Sequence, residues 1–318
     1  MASFHATYVP IAAVDRAAWT AFLSECPDAP VYVQPWYLDA VTDQRWSLVL
    51  AYQGKQLVAG LPLFLKHKYV WQYSYQPPFS QTWGPIVHPG VLAQKHPYVK
   101  LDRLFASLIK ALPEKLADHQ FAAPPELTYL RRFHEAGYTL KTRYTFQIQS
   151  DALPVDQLPQ LYDKQTRKNL NALDALEMQP ASTAEYLSIL PHAHGHFQSE
   201  LYTKTGLRLI RAGLDTEQLL LYKAVLEGEV IGVKVIAKDR NCWRSIMGIS
   251  HEAHRTLSPN TKMFHWAIAL ALKNDCAFDF EGSMMPAIAR YFSRFGGTPV
   301  PYINLRRRCL TKLTLPNR

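Results

Sequence analysis

The chain has 318 residues, of which 48% are hydrophobic and 19% are charged, and its formal net charge is +9. This composition supports two globular domains and excludes an intrinsically disordered protein. The four cysteines lie far apart without a CxxC pair, which argues against a zinc knuckle or a thioredoxin-like motif. The first residues lack the pattern of a signal peptide, and the apolar runs are too short to span a bilayer, so we expect a cytoplasmic protein without a transmembrane segment.

Residues 1–150 predict a first domain of mixed strands and helices. Asp15 is the expected N-cap of the first long helix, and three β-prone runs follow as a meander. The expected elements, in chain order, are a strand at 4–10, helices at 15–24 and 36–41, strands at 46–52, 57–65 and 70–75, a helix at 99–116, a strand near 120, a helix at 126–136 and a strand at 138–149.

Residues 151–318 predict a second domain in which the same order of elements recurs. Gly296 and Gly297 are expected to end its last helix, because glycine tolerates the left-handed C-cap conformation. The expected elements are helices at 158–176 and 183–202, strands at 219–226, 230–237 and 242–249, a helix at 261–273, a strand at 277–281, a helix at 285–295 and a strand at 300–306. We therefore expect an α/β (α+β) chain of two domains, each a mixed, mostly antiparallel sheet flanked by helices.

The strongest chemical candidate is the segment 279–283, where an apolar strand ends and a helix begins. If the strand runs to residue 281, Asp279 and Glu281 point to the same face, and repulsion between two carboxylates raises the pKa of one of them. Such a group can accept a proton from an attacking amine. Ser283 would cap the next helix, whose N–H groups could bind an anion. A strand end with two solvated acids explains the same pattern.

Two further segments offer positive charge to a phosphate-bearing ligand. Lys164, Arg167 and Lys168 share one face of a predicted helix, and arginine binds phosphate bidentately. Asn260 and Lys262 stand at the start of another helix, where backbone N–H groups attract anions. Without a ligand, the first segment would simply be a solvated basic helix face, and the second would be an ordinary helix start.

Three weaker signals remain. His192, His196 and Glu200 share a helix face at metal-ligand spacing, but a site on one helix would be open and strained, so we expect no metal. The aromatic loop containing Tyr75 and Trp83 fits a substrate groove and a packed turn equally well. The basic C-terminus could bind a nucleic acid or an anionic membrane.

Motifs for several common enzyme classes are missing from the sequence. It contains no GxGxxG dinucleotide fingerprint, no GxxxxGK[ST] phosphate loop, no GxSxG nucleophile elbow and no HExxH motif. Typical dehydrogenases, P-loop kinases, serine hydrolases and zinc proteases are therefore disfavoured.

Taken in order, the remaining motifs resemble those of a known family. The run Arg167-Lys168-Asn169 resembles an "RKN" segment, 279–283 resembles a "DFxG" strand end, and 290–297 with Tyr302 resembles an "FFxxFGG…Y" ending. In the first half, 34–38 and the Gly84-Pro85 loop are similar too. On these residues the chain resembles the Fem-type aminoacyl transferases and related proteins of the GNAT superfamily, over nearly its whole length.

This resemblance implies a tandem GNAT fold and transfer of an acyl or aminoacyl group to an amine, with acyl-coenzyme A or aminoacyl-tRNA as the donor. Glu281 would accept the proton of the amine, with Asp279 beside it, and Tyr302 would donate to the leaving group. Arg167, Lys168 and Lys262 would hold donor phosphates. The acceptor would be a small amine, a cell-wall precursor or a lipid-linked intermediate.

The sequence departs from the superfamily pattern at one point. The acetyltransferase pyrophosphate loop reads [RQ]xxGx[GA], whereas residues 254–260 contain no glycine. This departure motivates an alternative in which the protein keeps the fold but has lost affinity for the cofactor and acts without catalysis. Neither the donor nor the oligomeric state follows from the sequence.

Overall fold

The structure is a computed structural model that describes residues 3–193, 199–282 and 284–308. The chain forms two compact units. Among the described residues, the first comprises 3–29, 45–142 and 302–308, and the second comprises those within 30–44 and 143–301. The predicted domain boundary at residue 150 stays a prediction, and the compact units differ from it because 30–44 joins the second unit and 302–308 joins the first.

The first unit contains two groups of paired strands. One is a four-stranded antiparallel sheet in the order β1-β2-β3-β6, built from β1 (Phe4–Val9), β2 (Ser47–Gln53), β3 (Gln56–Leu63) and β6 (Ile86–Val87). The other contains β4 (Leu65–Lys68), β5 (Trp71–Ser74), β7 (Leu116–Ala122) and the end of β14 (Thr298–Arg308). Its helices are α1 (Arg16–Ser24), α3 (Pro89–Leu92), α4 (Pro97–Lys110) and α5 (Arg131–Glu135). Trp19 on α1 lies against Gly60, where a Cβ atom would be only 2.3 Å from the indole ring.

The second unit is a mixed sheet in the order β8-β13-β12-β11-β10-β9. Its strands are β8 (Thr139–Ile148), β9 (Glu177–Pro180), β10 (Leu219–Leu226), β11 (Glu229–Lys238), β12 (Cys242–Ser250) and β13 (Ala277–Asp279). Its helices are α2 (Pro35–Thr42), α6 (Lys164–Asn171), α7 (Thr183–Ile189), α8 (Glu200–Asp215), α9 (Asn260–Leu272) and α10 (Pro286–Ser293). The pairs β9–β10, β10–β11, β11–β12 and β13–β8 are antiparallel, and β12–β13 is parallel.

The core of this unit is an aromatic cluster between the sheet and helices α9 and α10. Its central members are Phe264, Phe278, Phe280, Phe292 and Phe295, and their rings lie 5.1–6.3 Å apart in tilted and edge-to-face pairs. Burying each ring contributes about 1.5–3 kcal/mol relative to exposure. The cluster therefore fixes the end of β13 against the start of α9, the two elements that carry the candidate site.

Local signals explain several helix ends. Asp15 caps α1 as predicted, because its Oδ1 accepts the N–H of Ala18 at 3.0 Å. Asp163 caps α6 in the same way, and Ser182 with Glu185 forms a capping box at α7. Gly296 follows α10 with φ +76°, which confirms the predicted glycine stop.

Three element predictions are wrong. The helix predicted at 158–176 is a 3-10 segment, Val155–Leu161, followed by α6, because Pro159 cannot join an α-helical hydrogen-bond ladder. The helix predicted at 183–202 ends at Ile189, just before Pro191, and α8 was not expected. The strand predicted at 277–281 ends at Asp279, since Glu281 has φ +62°. Among the described residues, no helix is long and apolar enough to cross a membrane.

Candidate functional site

Asp279 is a fully buried carboxylate at the end of β13, and several donors hold it in place. Its Oδ1 accepts the Thr145 hydroxyl and, at 2.7 Å, the backbone N–H of Glu281. Its Oδ2 accepts the Gln147 side-chain amide at 2.9 Å. These bonds offset the loss of hydration that a buried charge suffers. Asp279 therefore fixes the backbone turn that follows β13.

Arg244 lies directly opposite Asp279 in the parallel pair of β12 and β13. Its Nη1 is 3.3 Å from Asp279 Oδ2, and its Nε donates to Asp239 Oδ2 at 2.6 Å. Burial raises the pKa of Asp239, and the charge of Arg244 opposes that effect. One buried guanidinium thus compensates two buried carboxylates, which makes the strand ends rigid.

Glu281 lies two residues beyond β13 in a left-handed conformation, so the expectation that it continues the strand alongside Asp279 is wrong. Its Oε1 accepts a hydrogen bond from the Tyr32 hydroxyl. Burial raises the pKa of Glu281 to about 8, although the bond from Tyr32 lowers it, and the neighbouring charge of Asp279 raises it further. A carboxyl group with this pKa can exchange a proton near neutral pH.

Tyr32 reaches this carboxyl group from the segment before α2. Its side chain is fully buried, and its ring lies edge-to-face with Tyr37 at 5.5 Å. The guanidinium of Arg244 lies 5.3 Å from the centre of the Tyr32 ring, within range of a cation–π interaction. Burial raises the pKa of Tyr32 well above 10, so the phenol is a hydrogen-bond donor throughout the neutral range.

The strand β12 is longer than its parallel neighbour β13 and continues beyond the end of that strand. Their pairing stops at Arg244 and Asp279, whereas β12 continues to Ser250. The register of β12 against β11 also shifts, so that Ile246 is an extra residue between the paired positions Ser245 and Met247. Beyond Arg244, β12 is no longer paired with β13, and the turn that carries Glu281 follows the last paired residue of β13, Asp279.

A cavity of about 510 Å³ lies along the end of β12 and the start of α9. It is lined by Ala193, Gly248, Ile249, Ser250, Glu252, Arg255, Asn260 and Ile288. The predicted binding residue Asn260 is therefore part of its wall, and its Nδ2 donates to Ser250 Oγ at 3.4 Å.

The loop between β12 and α9 is a 3-10 helix, Glu252–Leu257, rather than an open glycine-rich turn. Two of its N–H groups bond inside the loop, from His254 to the His251 carbonyl and from Ser258 to the Arg255 carbonyl. These groups do not form a cradle for a pyrophosphate, so side chains such as Arg255 would have to supply the contacts.

The other predicted cationic residues lie in the same unit. Arg167 and Lys168 are exposed on α6, and Arg167 donates to the carbonyl of Tyr162. Lys262 is half-buried in the first turn of α9. Ser283 and His196 lie outside the described residues. No group of three metal-ligating side chains occurs in the part of the chain that the structure describes.

The three remaining predicted residues belong to the first unit. Trp83 is buried and donates to the Pro62 carbonyl at 2.8 Å, and Tyr302 is buried on β14. Tyr75 donates to Asp118 Oδ2 at 2.9 Å. Asp118 also binds Arg306 at 2.6 Å and Arg308 at 3.2 Å, so part of the C-terminal positive charge is neutralised within the unit.

Sequence reasoning missed Tyr32 and Arg244 at the site, and it also missed the buried charged residue Lys234 of the neighbouring strand β11. Arg244 and Lys234 each interrupt an apolar strand, and a buried charge of this kind is a signal that could have been used. Tyr32 gives no local signal, because its partner Glu281 is 249 positions away.

Comparisons with known proteins agree with the arrangement of strands. The model of the acetyltransferase (GNAT) domain matches residues 128–292. The crystal structure of FemX superposes with a TM-score of 0.69 at 11% identity, covering 91% of this chain and 96% of that chain. A tandem GNAT protein from the clavulanic acid biosynthesis pathway gives 0.53 at 13% identity, covering 96% and 99%. The C-terminal domain of a putative lysylphosphatidylglycerol synthetase from Agrobacterium fabrum gives 0.55 at 9% identity, covering 92% and 93%.

A comparison with curated protein sequences gives no match. The structural similarities confirm the predicted fold class, since one of the similar structures is itself a tandem GNAT protein that covers nearly the whole chain. The family model covers more than half of the sequence, including the strands and helices that form the site. The chain therefore belongs to the acetyltransferase (GNAT) domain family and has a Fem-like tandem GNAT fold.

Proposed function

We propose that the protein transfers an activated acyl or aminoacyl group to an amine acceptor, with Glu281 as the proton acceptor. The observation that carries this proposal is the partly buried carboxyl group of Glu281, whose pKa is raised to about 8, two residues beyond the last paired residues of β12 and β13. A base with this pKa retains enough basicity to take a proton from an attacking amine. Asp279 and Arg244 hold the turn, and Tyr32 orients the carboxylate.

The donor would lie in the cavity along β12, with its carbonyl carbon facing the turn at Glu281. Binding there would bring the amine and the carbonyl together, and proximity would supply much of the acceleration. Asn260 in the cavity wall and Lys262 at the start of α9 would contact the donor, with Arg167, Lys168 and Ser283 as further candidates. Trp83 and Tyr75 remain candidates for acceptor binding, and Tyr302 for protonating the leaving group.

Two donor classes fit the proposal. Acyl-coenzyme A is the usual donor of the GNAT fold, and aminoacyl-tRNA is implied by the Fem-like resemblance. The absence of glycine from the 3-10 helix Glu252–Leu257 favours a donor that does not depend on a backbone cradle for a pyrophosphate. The similarity to a lysylphosphatidylglycerol synthetase domain supports a lipid or cell-wall precursor as the acceptor, beside a small amine.

The test is transfer of labelled acyl groups from acetyl-coenzyme A and from aminoacyl-tRNA to a panel of amines, with purified wild-type protein, Glu281→Gln and the exposed control Glu227→Gln. We expect Glu281→Gln to lower kcat/KM about 10²–10⁴-fold, and Glu227→Gln to match the wild type. In the wild type, kcat/KM should rise with pH up to about 8, because the ionised form of Glu281 is the active one. Full activity of Glu281→Gln would refute the assignment.

A second candidate function is a binding protein without catalysis, and the glycine-free loop before α9 favours it. Calorimetry with acetyl-coenzyme A and with an aminoacyl-tRNA separates the two. Saturable binding followed by transfer supports the enzyme, whereas binding that never leads to transfer with any amine in the panel supports the second candidate.

A further inference from the structure

The turn between β4 and β5 has an unusual composition for its geometry. Lys68 pairs with Trp71, so Tyr69 and Val70 form a two-residue hairpin turn. Tyr69 has a φ of +55°, in the left-handed region that a bulky side chain rarely adopts. Both side chains are in solvent, since Tyr69 is 91% exposed and Val70 is 68% exposed. Neither the turn nor the core therefore accounts for an aromatic and a β-branched residue here.

Two other two-residue hairpins in the described part of the chain show the ordinary choice. The turn between β2 and β3 is Gly54-Lys55, and the turn between β10 and β11 is Glu227-Gly228. Each combines a glycine of positive φ with an exposed charged residue, as the twist of such turns favours. Gly54 holds the same place in its turn as Tyr69 does, with a φ of +61°. Where only the turn matters, the chain thus has glycine at this place.

The hairpin that ends in Tyr69 and Val70 is positively charged. Lys66 and Lys68 are exposed on β4, which lies at the edge of its sheet. As alternate residues of one strand, they lie on the same face. The sequence contains six lysine and arginine residues and no acidic residue between Asp43 and Asp102. The hairpin itself therefore has no carboxylate that offsets the two lysines.

The same face stays basic across the neighbouring strands. Lys66 is opposite Tyr73 of β5, and Tyr73 is opposite Asp118 of β7. Directly opposite residues point to the same side of a sheet. Asp118 is in turn opposite Arg308 of β14, and it binds both Arg308 and Arg306. One carboxylate thus faces two guanidinium groups, and the face keeps an excess of positive charge.

Edge protection explains only part of this hairpin. Exposed lysines hinder the pairing of an edge strand with another chain, which accounts for Lys66 and Lys68. It does not account for an apolar turn beyond them, because exposed apolar groups favour association. The combination of an apolar tip and a basic base fits a partner that is apolar inside and anionic at its surface.

We propose that this hairpin is a membrane-docking surface, at which Tyr69 and Val70 insert into the interface of an anionic phospholipid bilayer while the two lysines contact lipid phosphates. Aromatic rings are favoured at the level of the headgroups, and each lysine near an anionic leaflet adds to binding. Valine has no ring face on which a base could stack, so the tip fits a bilayer better than a nucleic acid. Such attachment does not depend on the transfer reaction.

The first experiment measures cosedimentation of the purified 318-residue chain with vesicles of phosphatidylglycerol and phosphatidylcholine, and with vesicles of phosphatidylcholine alone. We expect binding to the anionic vesicles that weakens as salt rises, because exposed charges are screened, and much weaker binding to the neutral ones. Lys66→Gln/Lys68→Gln should weaken binding about 25-fold, or about five-fold for each charge. The control Lys55→Gln/Lys110→Gln removes two exposed lysines elsewhere in the same unit and should change binding less than about two-fold.

The second experiment removes the tip and keeps the turn. Tyr69→Gly/Val70→Ser places glycine where the β2–β3 turn has Gly54, so the variant should resist urea at least as well as the wild type. Its binding to the anionic vesicles should fall about 10-fold, because the ring and the isopropyl group are no longer removed from water. Tyr69→Trp keeps an interfacial ring and should bind at least as well as the wild type.

The outcomes are distinct. Loss of vesicle binding in the folded tip variant, with binding kept in the lysine control, supports the docking surface. Equal binding by wild type and tip variant, or no binding by wild type, overturns it and leaves the proposed transfer reaction intact. Two other results also overturn it: hairpin variants that weaken binding to tRNA but not to vesicles, and a wild-type dimer, without vesicle binding, that the tip variant converts to a monomer.

Discussion

The raised pKa of Glu281 predicts an unusual dependence of stability on pH. The folded state holds this carboxyl group at a pKa of about 8, against an ordinary value of 4.5. Below pH 4.5 the group is protonated in both the folded and the unfolded state and contributes no pH dependence. Between pH 4.5 and 8 only the unfolded state ionises, so the free energy of unfolding falls as pH rises.

The size of the effect follows from the linkage relation. Each pH unit in this window corresponds to about 1.36 kcal/mol. From pH 5 to pH 8, with partial ionisation at both ends, the loss is about 3–4 kcal/mol. Glu281→Gln removes the titration but keeps an oxygen that can accept the Tyr32 hydroxyl. The free energy of unfolding of the variant, relative to wild type, should therefore increase by this amount over the window.

The assay is urea unfolding of wild type and Glu281→Gln at half-unit steps from pH 5 to pH 9, followed by near-UV circular dichroism. Other groups titrate equally in both proteins and cancel in the difference. Tyr32→Phe is the second variant: because the hydrogen bond from Tyr32 lowers the pKa of Glu281, its removal should move the end of the window above pH 8. A difference between wild type and Glu281→Gln that stays flat from pH 5 to pH 8 would refute the raised pKa.

Three further predictions concern stability. Arg244→Met should cost about 3–5 kcal/mol in urea unfolding, because it leaves two buried carboxylates without their cation; a cost below 1 kcal/mol would count against the buried ion pairs. Gly296→Ala should lower the free energy of unfolding clearly more than Gly228→Ala in the same assay. Both glycines have positive φ, but only at Gly296 would a Cβ atom meet a carbonyl oxygen, that of Leu161 at 2.7 Å. Equal losses of about 1–2 kcal/mol would show that the strain of positive φ alone decides. Burial raises the pKa of Asp118, but hydrogen bonds from Arg306 and Tyr75 outweigh this effect and hold the pKa below 3.8. The ionised carboxylate therefore adds to the free energy of unfolding above pH 3.8, and this addition is lost on further acidification. Asp118→Asn should lower the free energy of unfolding by about 2 kcal/mol at pH 7 and less at pH 3, and equal losses at both pH values would contradict this reasoning.

Most of the strands could be predicted from the sequence, because they are short apolar runs closed by turn residues, whereas β4 (LKHK) and β9 (EMQP) are too polar to give that signal. Asp15 and Gly296 are also local signals, and the structure confirms both. The helices were less predictable, since Pro159 and Pro191 shorten segments whose apolar spacing looks continuous. The turn after Asp279 could not be foreseen, because the positive φ of Glu281 depends on the hydrogen bond that Asp279 accepts from its N–H group.

The candidate site was predictable in place but not in composition. Asp279 and Glu281 lie at the end of β13 and in the turn after it, but the reason given for choosing them, two side chains on one face of a strand, does not hold. Burial raises the pKa of Glu281, the hydrogen bond from Tyr32 and the charge of Arg244 lower it, and the charge of Asp279 raises it further. Tyr32 and Arg244 come from distant parts of the chain, and only the fold brings them together.

The segment 30–44 belongs to the second unit although it precedes most of the first unit in sequence. During synthesis, Tyr32 leaves the ribosome long before Glu281 exists, so this apolar segment must wait for its permanent partners. The apolar side chains of Val31, Tyr37 and Leu38 are fully buried only in the finished fold. Until then they are exposed surface that favours aggregation or binding to a chaperone. A fragment starting at residue 151 would never acquire the segment, so its carboxyl group at position 281 would lack the phenol that orients it.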